Sequence, residues 1–157
     1  IKISCGDLTM IGGEITGQDS TGIDGKVPTG NFDPSSKVFV DGVVIDGGMR
    51  GIDFSALDAA TQLSVRRSSI RNQTVNAIGY SGDHGDVDFG FDGDPGQNDL
   101  SVISGFAIED FRAFPSTEES RFVGTTVNGM SFAGQTIPGP AVLSPHYRIT
   151  GPGILVF

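Results

Sequence analysis

The sequence predicts an all-β chain, a right-handed parallel β-helix (solenoid) of about five irregular coils with looped insertions. Three observations lead there. Gly and Pro are dense, 24 and 8 of 157 residues, which disfavours long helices and marks frequent turns. An apolar residue followed five positions later by Ile recurs five times. A further Ile follows three of those copies after eight, seven and eight residues.

The first motif runs Met10 to Ile15, Val40 to Ile45, Val65 to Ile70, Ile103 to Ile108 and Ile149 to Ile154. Four of the five copies carry Gly two places after the first anchor. In a straight strand, residues five apart face opposite sides, so both anchors share one core only if the chain turns a corner between them. Gly supplies the backbone such a corner needs. Each copy therefore reads as strand, corner, strand, with the five Ile in single file along the interior.

The second motif is Gly22-Ile23-Asp24-Gly25, then Gly51-Ile52-Asp53-Phe54, then Ala77-Ile78-Gly79-Tyr80. It adds a third strand to each turn, entered through polar bends such as 17–20 and 72–74. The first anchors are 30, 25, 38 and 46 residues apart. A solenoid tolerates unequal intervals because insertions loop out while the core ladder continues. The turn-rich stretches 26–37, 92–99, 113–120 and 135–145 fit such insertions, and 86–92 alternates like a half-buried strand. An antiparallel sandwich or jelly roll is the rival fold.

Composition narrows function more than it assigns it. The 37% hydrophobic content suits a single folded domain over 1–157, complete or part of a longer chain. No run is long enough for a membrane span. With 19 acidic against 10 basic residues, net −9, the chain lacks the basic surface that non-specific nucleic-acid binding requires. Cys5 stands alone, so no internal disulfide forms.

The wording from Val38 to Phe54, and the similar stretch from Leu63 to Tyr80, resembles coils of the pectate-lyase-like and phage-tailspike-like β-helix superfamily. The resemblance runs from Leu8 to Phe157 and rests on a coil signature rather than an activity signature. It implies an extracellular or virion-associated protein that engages polysaccharide or a cell-surface glycan on its outer face. Polygalacturonase-like members carry catalytic aspartates on neighbouring coils. Their Asp-Asp, Gly-His-Gly and Arg-x-Lys elements have no counterpart here.

Four groups of residues could carry chemistry. Asp24 and Asp53 hold the same place after the inward Ile, so they would project side by side, about 4.8 Å apart, as a carboxylate pair of the kind glycoside hydrolysis uses. His84, between Asp83 and Asp86, would favour its charged form and could serve as acid or base. Arg50, Arg71 and Tyr80 could bind glycan, the arginines through sugar carboxylates and the tyrosine by stacking. Arg71 also falls where a ladder with Asp46 and Glu109 would be a plain salt-bridge network. Asp86, Asp88 and Asp92 would share an outer face and could bind calcium, the one cofactor the sequence suggests. Solvated surface is the competing reading for the acidic groups and His84, the salt-bridge network for the arginines, and the core for Tyr80, which its alternation with polar residues suggests.

The residues leave open whether the chain is an enzyme. A non-catalytic structural or adhesive solenoid is the alternative. Open solenoid ends would expose strand edges, which predicts a homo-oligomer, a trimer or an end-to-end stack.

Overall fold

A computed structural model of the chain describes residues 1–3, 6–26, 37–57, 62–82, 86–112, 119–131, 136–138, 148–150 and 154–156. Cys5 and His84 lie outside them. Strands β1 (Lys2–Ile3), β2 (Leu8–Ile11), β3 (Glu14–Thr16) and β4 (Thr21–Lys26) open the chain. The second turn is β5 (Lys37–Asp41), β6 (Val44–Asp46) and β7 (Arg50–Leu57); the third is β8 (Gln62–Arg66), β9 (Ser69–Gln73) and β10 (Asn76–Gly82). Then come β11 (Asp86–Asp88), β12 (Asp99–Val102), β13 (Phe106–Arg112), β14 (Glu119–Arg121), β15 (Thr126–Val127), β16 (Met130–Ser131), β17 (Thr136–Pro138), β18 (Arg148–Thr150) and β19 (Ile154–Val156). Among the described residues there is no helix.

These strands form three sheets along one axis: a first, β17-β14-β11-β8-β5-β2, a second, β16-β15-β12-β9-β6-β3, and a third, β1-β4-β7-β10-β13-β18-β19. From β1 to β13 every pairing within a sheet is parallel. The chain is a parallel β-solenoid. Its regular part spans about three turns, β2 to β10, rather than five. A fourth winding, β11 to β13, is interrupted by residues 89–98.

The core is a bundle of side-chain files. Met10, Val40 and Val65 stack in register, as do Leu8, Val38, Leu63 and Val87 in the same sheet. Ile15, Ile45, Ile70, Leu100 and Val127 form the second sheet's file. Ile23, Ile52, Ile78 and Ile108 form the third. Ile23, Ile45, Ile52, Ile70, Ile78 and Leu100 are fully buried. Each such side chain contributes about 1.5–3 kcal/mol through burial.

The predicted single file of five Ile is therefore corrected. Only Ile15, Ile45 and Ile70 share it. Ile108 lies in another sheet, Ile103 is 70% exposed, and Ile154 pairs with Thr150 in a terminal antiparallel pair. Leu100 and Val127 take the vacated places, so the architecture survives. The insertion 89–98 lengthens the path from β11 to β12 and breaks the five-residue step.

Corners between β3 and β4, β6 and β7, and β9 and β10 fall at Gly17, Gly47 and Asn72, with φ of 69°, 85° and 64°. These residues follow the in-register Thr16, Asp46 and Arg71, so the left-handed conformation itself repeats along the axis. Gly adopts it freely and Asn tolerates it.

The ends differ. Beyond β13 each sheet closes on reversed strands: β14 with β17, β15 with β16, and β13 with β18 are antiparallel. Asn128 and Gly129, both at positive φ, make the two-residue turn between β15 and β16. At the N-terminal end, β1 covers β4, while β2 and β3 are edge strands.

Candidate functional site

The third sheet puts a file of polar residues on its outer face. Because Ile23, Ile52, Ile78 and Ile108 point inward, the residues after them point outward, and the register reads Lys2, Asp24, Asp53, Gly79, Glu109 and Arg148. Neighbours in such a file are about 4.8 Å apart along the sheet. The predicted stacking of Asp24 on Asp53 is present. Glu109 belongs to the same file, two strands from Asp53, with Gly79 between.

A neighbouring file holds Thr21, Arg50, Asn76 and Phe106. Arg50 Nε lies 3.7 Å from Asp53 Oδ2. Asn76 is 2% exposed, and its Nδ2 donates to Glu109 Oε2 at 2.8 Å. Its Oδ1 is buried and has no protein hydrogen-bond partner. These groups converge on Gly79. A Cβ there would sit 2.8 Å from Asn76 Nδ2 and 3.4 Å from Asp53 Oδ1. Gly79 is itself buried, and the Asn76 amide fills the space that a side chain at Gly79 would need, between Asp53 and Glu109.

The other predicted residues fall elsewhere. Tyr80 is 1% exposed and packs against Phe89, ring centroids 6.3 Å apart. It is a core residue and offers no face for sugar stacking, because it shares the inward side of β10 with Ile78. Arg71 lies on the second sheet in register with Asp46, Nε 3.0 Å from Asp46 Oδ2. The expected Asp46–Arg71 pair is there, but Glu109 belongs to the third sheet and not to that ladder.

Among the acidic trio, Asp88 is committed to Arg66. Arg66 is 3% exposed and places Nη2 2.7 Å from Asp88 Oδ2 and Nε 3.0 Å from Asp94 Oδ2. Its Nη1 donates to the carbonyls of Val65 and Asp88, and its guanidinium lies 5.8 Å from the Phe91 ring centroid. Asp92 is exposed in the turn, and for Asp86 only the backbone is described. Among the described residues no three His, Cys, Asp or Glu side chains converge as a metal site.

Arg67 pairs with Asp41, which raises its pKa further above the ordinary arginine value. All four arginines with described side chains, Arg50, Arg66, Arg67 and Arg71, are therefore ion-paired to aspartates. Sequence reasoning found Asp24, Asp53 and Arg50 but not Asn76, Gly79 or Glu109. Aligning Ile108 with Ile78 would have found them.

No family model, curated protein or solved structure matches the chain. No helix among the described residues is long and apolar enough to cross a membrane.

Proposed function

We propose that the chain engages polysaccharide along the outer face of β4, β7, β10 and β13, as an extracellular or virion-associated solenoid akin to pectate-lyase-like and tailspike-like proteins. The observation that supports this reading is the in-register file Lys2, Asp24, Asp53, Gly79 and Glu109 on that face. A parallel sheet holds these groups at fixed intervals on a rigid surface, the preorganisation that a repeating, hydroxyl-rich polymer rewards. Asp24 and Asp53, one strand apart, are also close to the roughly 5–5.5 Å carboxyl separation of retaining glycosidases.

Affinity electrophoresis through gels containing a panel of polysaccharides tests the reading. Retardation by at least one polymer, relieved in Asp24→Asn and Asp53→Asn variants, is expected. Free migration through the whole panel would overturn it. New reducing ends released from the bound polymer would mark a hydrolase; their absence would mark a binding module.

A second reading, a structural or adhesive solenoid, is favoured by the β2 and β3 edges, which pair with no further strand among the described residues. Leu8, Met10 and Ile15 are only partly buried there, and Ile11 is 74% exposed. Since the opposite end is closed by reversed strands, assembly would join N-terminal ends head to head. Sedimentation should then show a dimer; monomer at all concentrations would remove this reading.

A further inference from the structure

Resting on the assembly reading, we infer that the N-terminal edges take a second copy of this chain about a two-fold axis through the first sheet. That axis pairs β2 with the partner's β2, β1 with the partner's β3, and β3 with the partner's β1. Edge shape, backbone polarity and charge each support this arrangement.

The shape of the edge selects the axis. The chain climbs one strand spacing, about 4.8 Å, in each turn, so successive strands rise by about a third of it. β1 is therefore the lowest edge strand, β2 the middle and β3 the highest, on the third, first and second sheets respectively. A two-fold axis perpendicular to one sheet inverts the partner and exchanges the other two sheets. With the axis on the first sheet and β2 one spacing from its copy, lowest meets highest on both remaining sheets. Each of those gaps is again about one spacing. An axis on the second sheet would drive β1 into the partner's β2. An axis on the third would leave about two spacings between β2 and the partner's β3. Only the middle strand closes all three sheets.

Backbone polarity agrees. The Gly12 amide donates to the Asp41 carbonyl, the Val44 amide to that of Gly13 and the Asp24 amide to that of Ile1. Alternate residues of a strand bond to alternate sides, so Lys2, Thr9, Ile11, Glu14 and Thr16 turn their amides and carbonyls to the edge. Their side chains point outward, while Ile3, Leu8, Met10 and Ile15 point inward, partly buried against the core. Pairing the edge groups across the axis thus also sets inward side chain against inward side chain. The two cores become one, and water leaves the ends of the apolar files.

Charge completes the match. β2, the strand that meets its own copy, reads Leu-Thr-Met-Ile and has no charge to repel itself. β1 brings Lys2 and β3 brings Glu14, both exposed. Lys2 lies opposite the partner's Glu14 or one diagonal step from it, within reach of its long side chain. The axis makes this contact twice.

Sedimentation equilibrium of the intact chain and its variants tests the inference. The unsubstituted chain is expected to dimerise. Thr9→Pro removes an edge amide at a position where Pro is tolerated, and should leave monomer. Glu14→Lys, whose in-register neighbour is Val44, should weaken the dimer about tenfold by turning two attractions into repulsions. Adding Lys2→Glu should restore it. Circular dichroism checks that Thr9→Pro still folds; if it does not, the charge reversals decide. A dimer indifferent to a folded Thr9→Pro or to Glu14→Lys, or one that Lys2→Glu fails to restore, would overturn this pairing and leave the assembly reading standing. Trimers or longer stacks would do the same. Monomer at every concentration would overturn both.

Discussion

The first three turns and the fourth are built from the same files yet held together differently. In β2 to β10 the apolar files run without interruption from turn to turn, and this stacking carries most of the register. The fourth winding leaves the stack at Phe89 and rejoins it at Asp99, and a polar clamp fastens the detour. Arg66 grips Asp88 and Asp94 from the turn below. Asn98 Nδ2 donates to the carbonyls of Val65 and Phe89 and to Thr125 Oγ1, while its Oδ1 accepts from the Ser68 amide. The regular turns combine uninterrupted apolar files with a few inter-turn hydrogen bonds such as Gln73 Nε2 to the Ile45 carbonyl; the detour re-enters through a denser clamp.

The largest test of that contrast lies at their junction. Phe89 is fully buried and stacks on Phe122 with centroids 5.1 Å apart, carrying the first sheet's core from the regular turns into the last. Phe89→Ala should cost about 3–5 kcal/mol in urea unfolding. Ile45→Ala, inside an uninterrupted file, should cost about 2–5 kcal/mol. If the fourth winding is a separate cooperative unit, Phe89→Ala will split the transition in two while Ile45→Ala will not.

Next in size is the clamp. Arg66→Ala removes a nearly buried guanidinium from Asp88 and should cost about 2–3 kcal/mol, below the 3–5 kcal/mol of fully buried pairs because Asp94 is half exposed. Hydrogen exchange is the sharper measurement. Protection should fall at Gly96, whose amide donates to the Val123 carbonyl, and stay unchanged at Val44, whose amide donates to the Gly13 carbonyl. Equal loss at both would mean the two regions are held alike.

The same contrast explains what was legible in the sequence. The five-residue step marks a corner only while the corner is tight, so Met10–Ile15, Val40–Ile45 and Val65–Ile70 read correctly. Ile103–Ile108 copied the spacing by accident. The true continuation was visible in two other signals: the eight-residue step from Leu100 to Ile108, matching Ile15 to Ile23 and Ile70 to Ile78, and the five-residue step from Phe122 to Val127. The Asn128-Gly129 dipeptide also announced the reversal that closes the second sheet's file. At the site, Asp24 and Asp53 were legible because their turns are regular. Glu109 was not, since it requires Ile108 in the correct file. The burial of Tyr80 was legible in the alternation: after Gly79 it simply continues, and Tyr80 takes the inward place that Phe54 takes below.

Corners give a smaller, cleaner comparison. Gly47 at φ 85° should not accept Ala, which costs about 1–2 kcal/mol in the left-handed region. Gly47→Asn should cost less, because Asn72 already adopts that conformation one turn on. Thermal melts of the two variants rank them; equal destabilisation would mean that crowding, not backbone conformation, fixes the corner.

The smallest effect is electrostatic and again separates regular from irregular turns. Asp46 accepts from Asn72 Nδ2 at 2.7 Å and from Arg71 Nε at 3.0 Å, a tie across two regular turns. The Asn72 hydrogen bond, then the Arg71 hydrogen bond and charge, hold its carboxyl below the ordinary value of 3.8, against a lesser opposing effect of burial. A carboxyl whose folded pKa is depressed stabilises the fold above its unfolded pKa and loses that contribution as pH falls through the folded value. The tie is therefore intact at neutral pH and fails only below about pH 3.8. Carboxyl NMR titration should show the Asp46 pKa rising towards its ordinary value in Asn72→Ala, and less far in Arg71→Ala. On the fourth winding the matching strand has one residue, Ser101, opposite Arg71 and Asn72, and the register shifts there. No such tie can be repeated where the files fall out of step. If the Asp46 titration ignores both substitutions, the polar tie is incidental, and apolar stacking alone keeps the regular turns aligned.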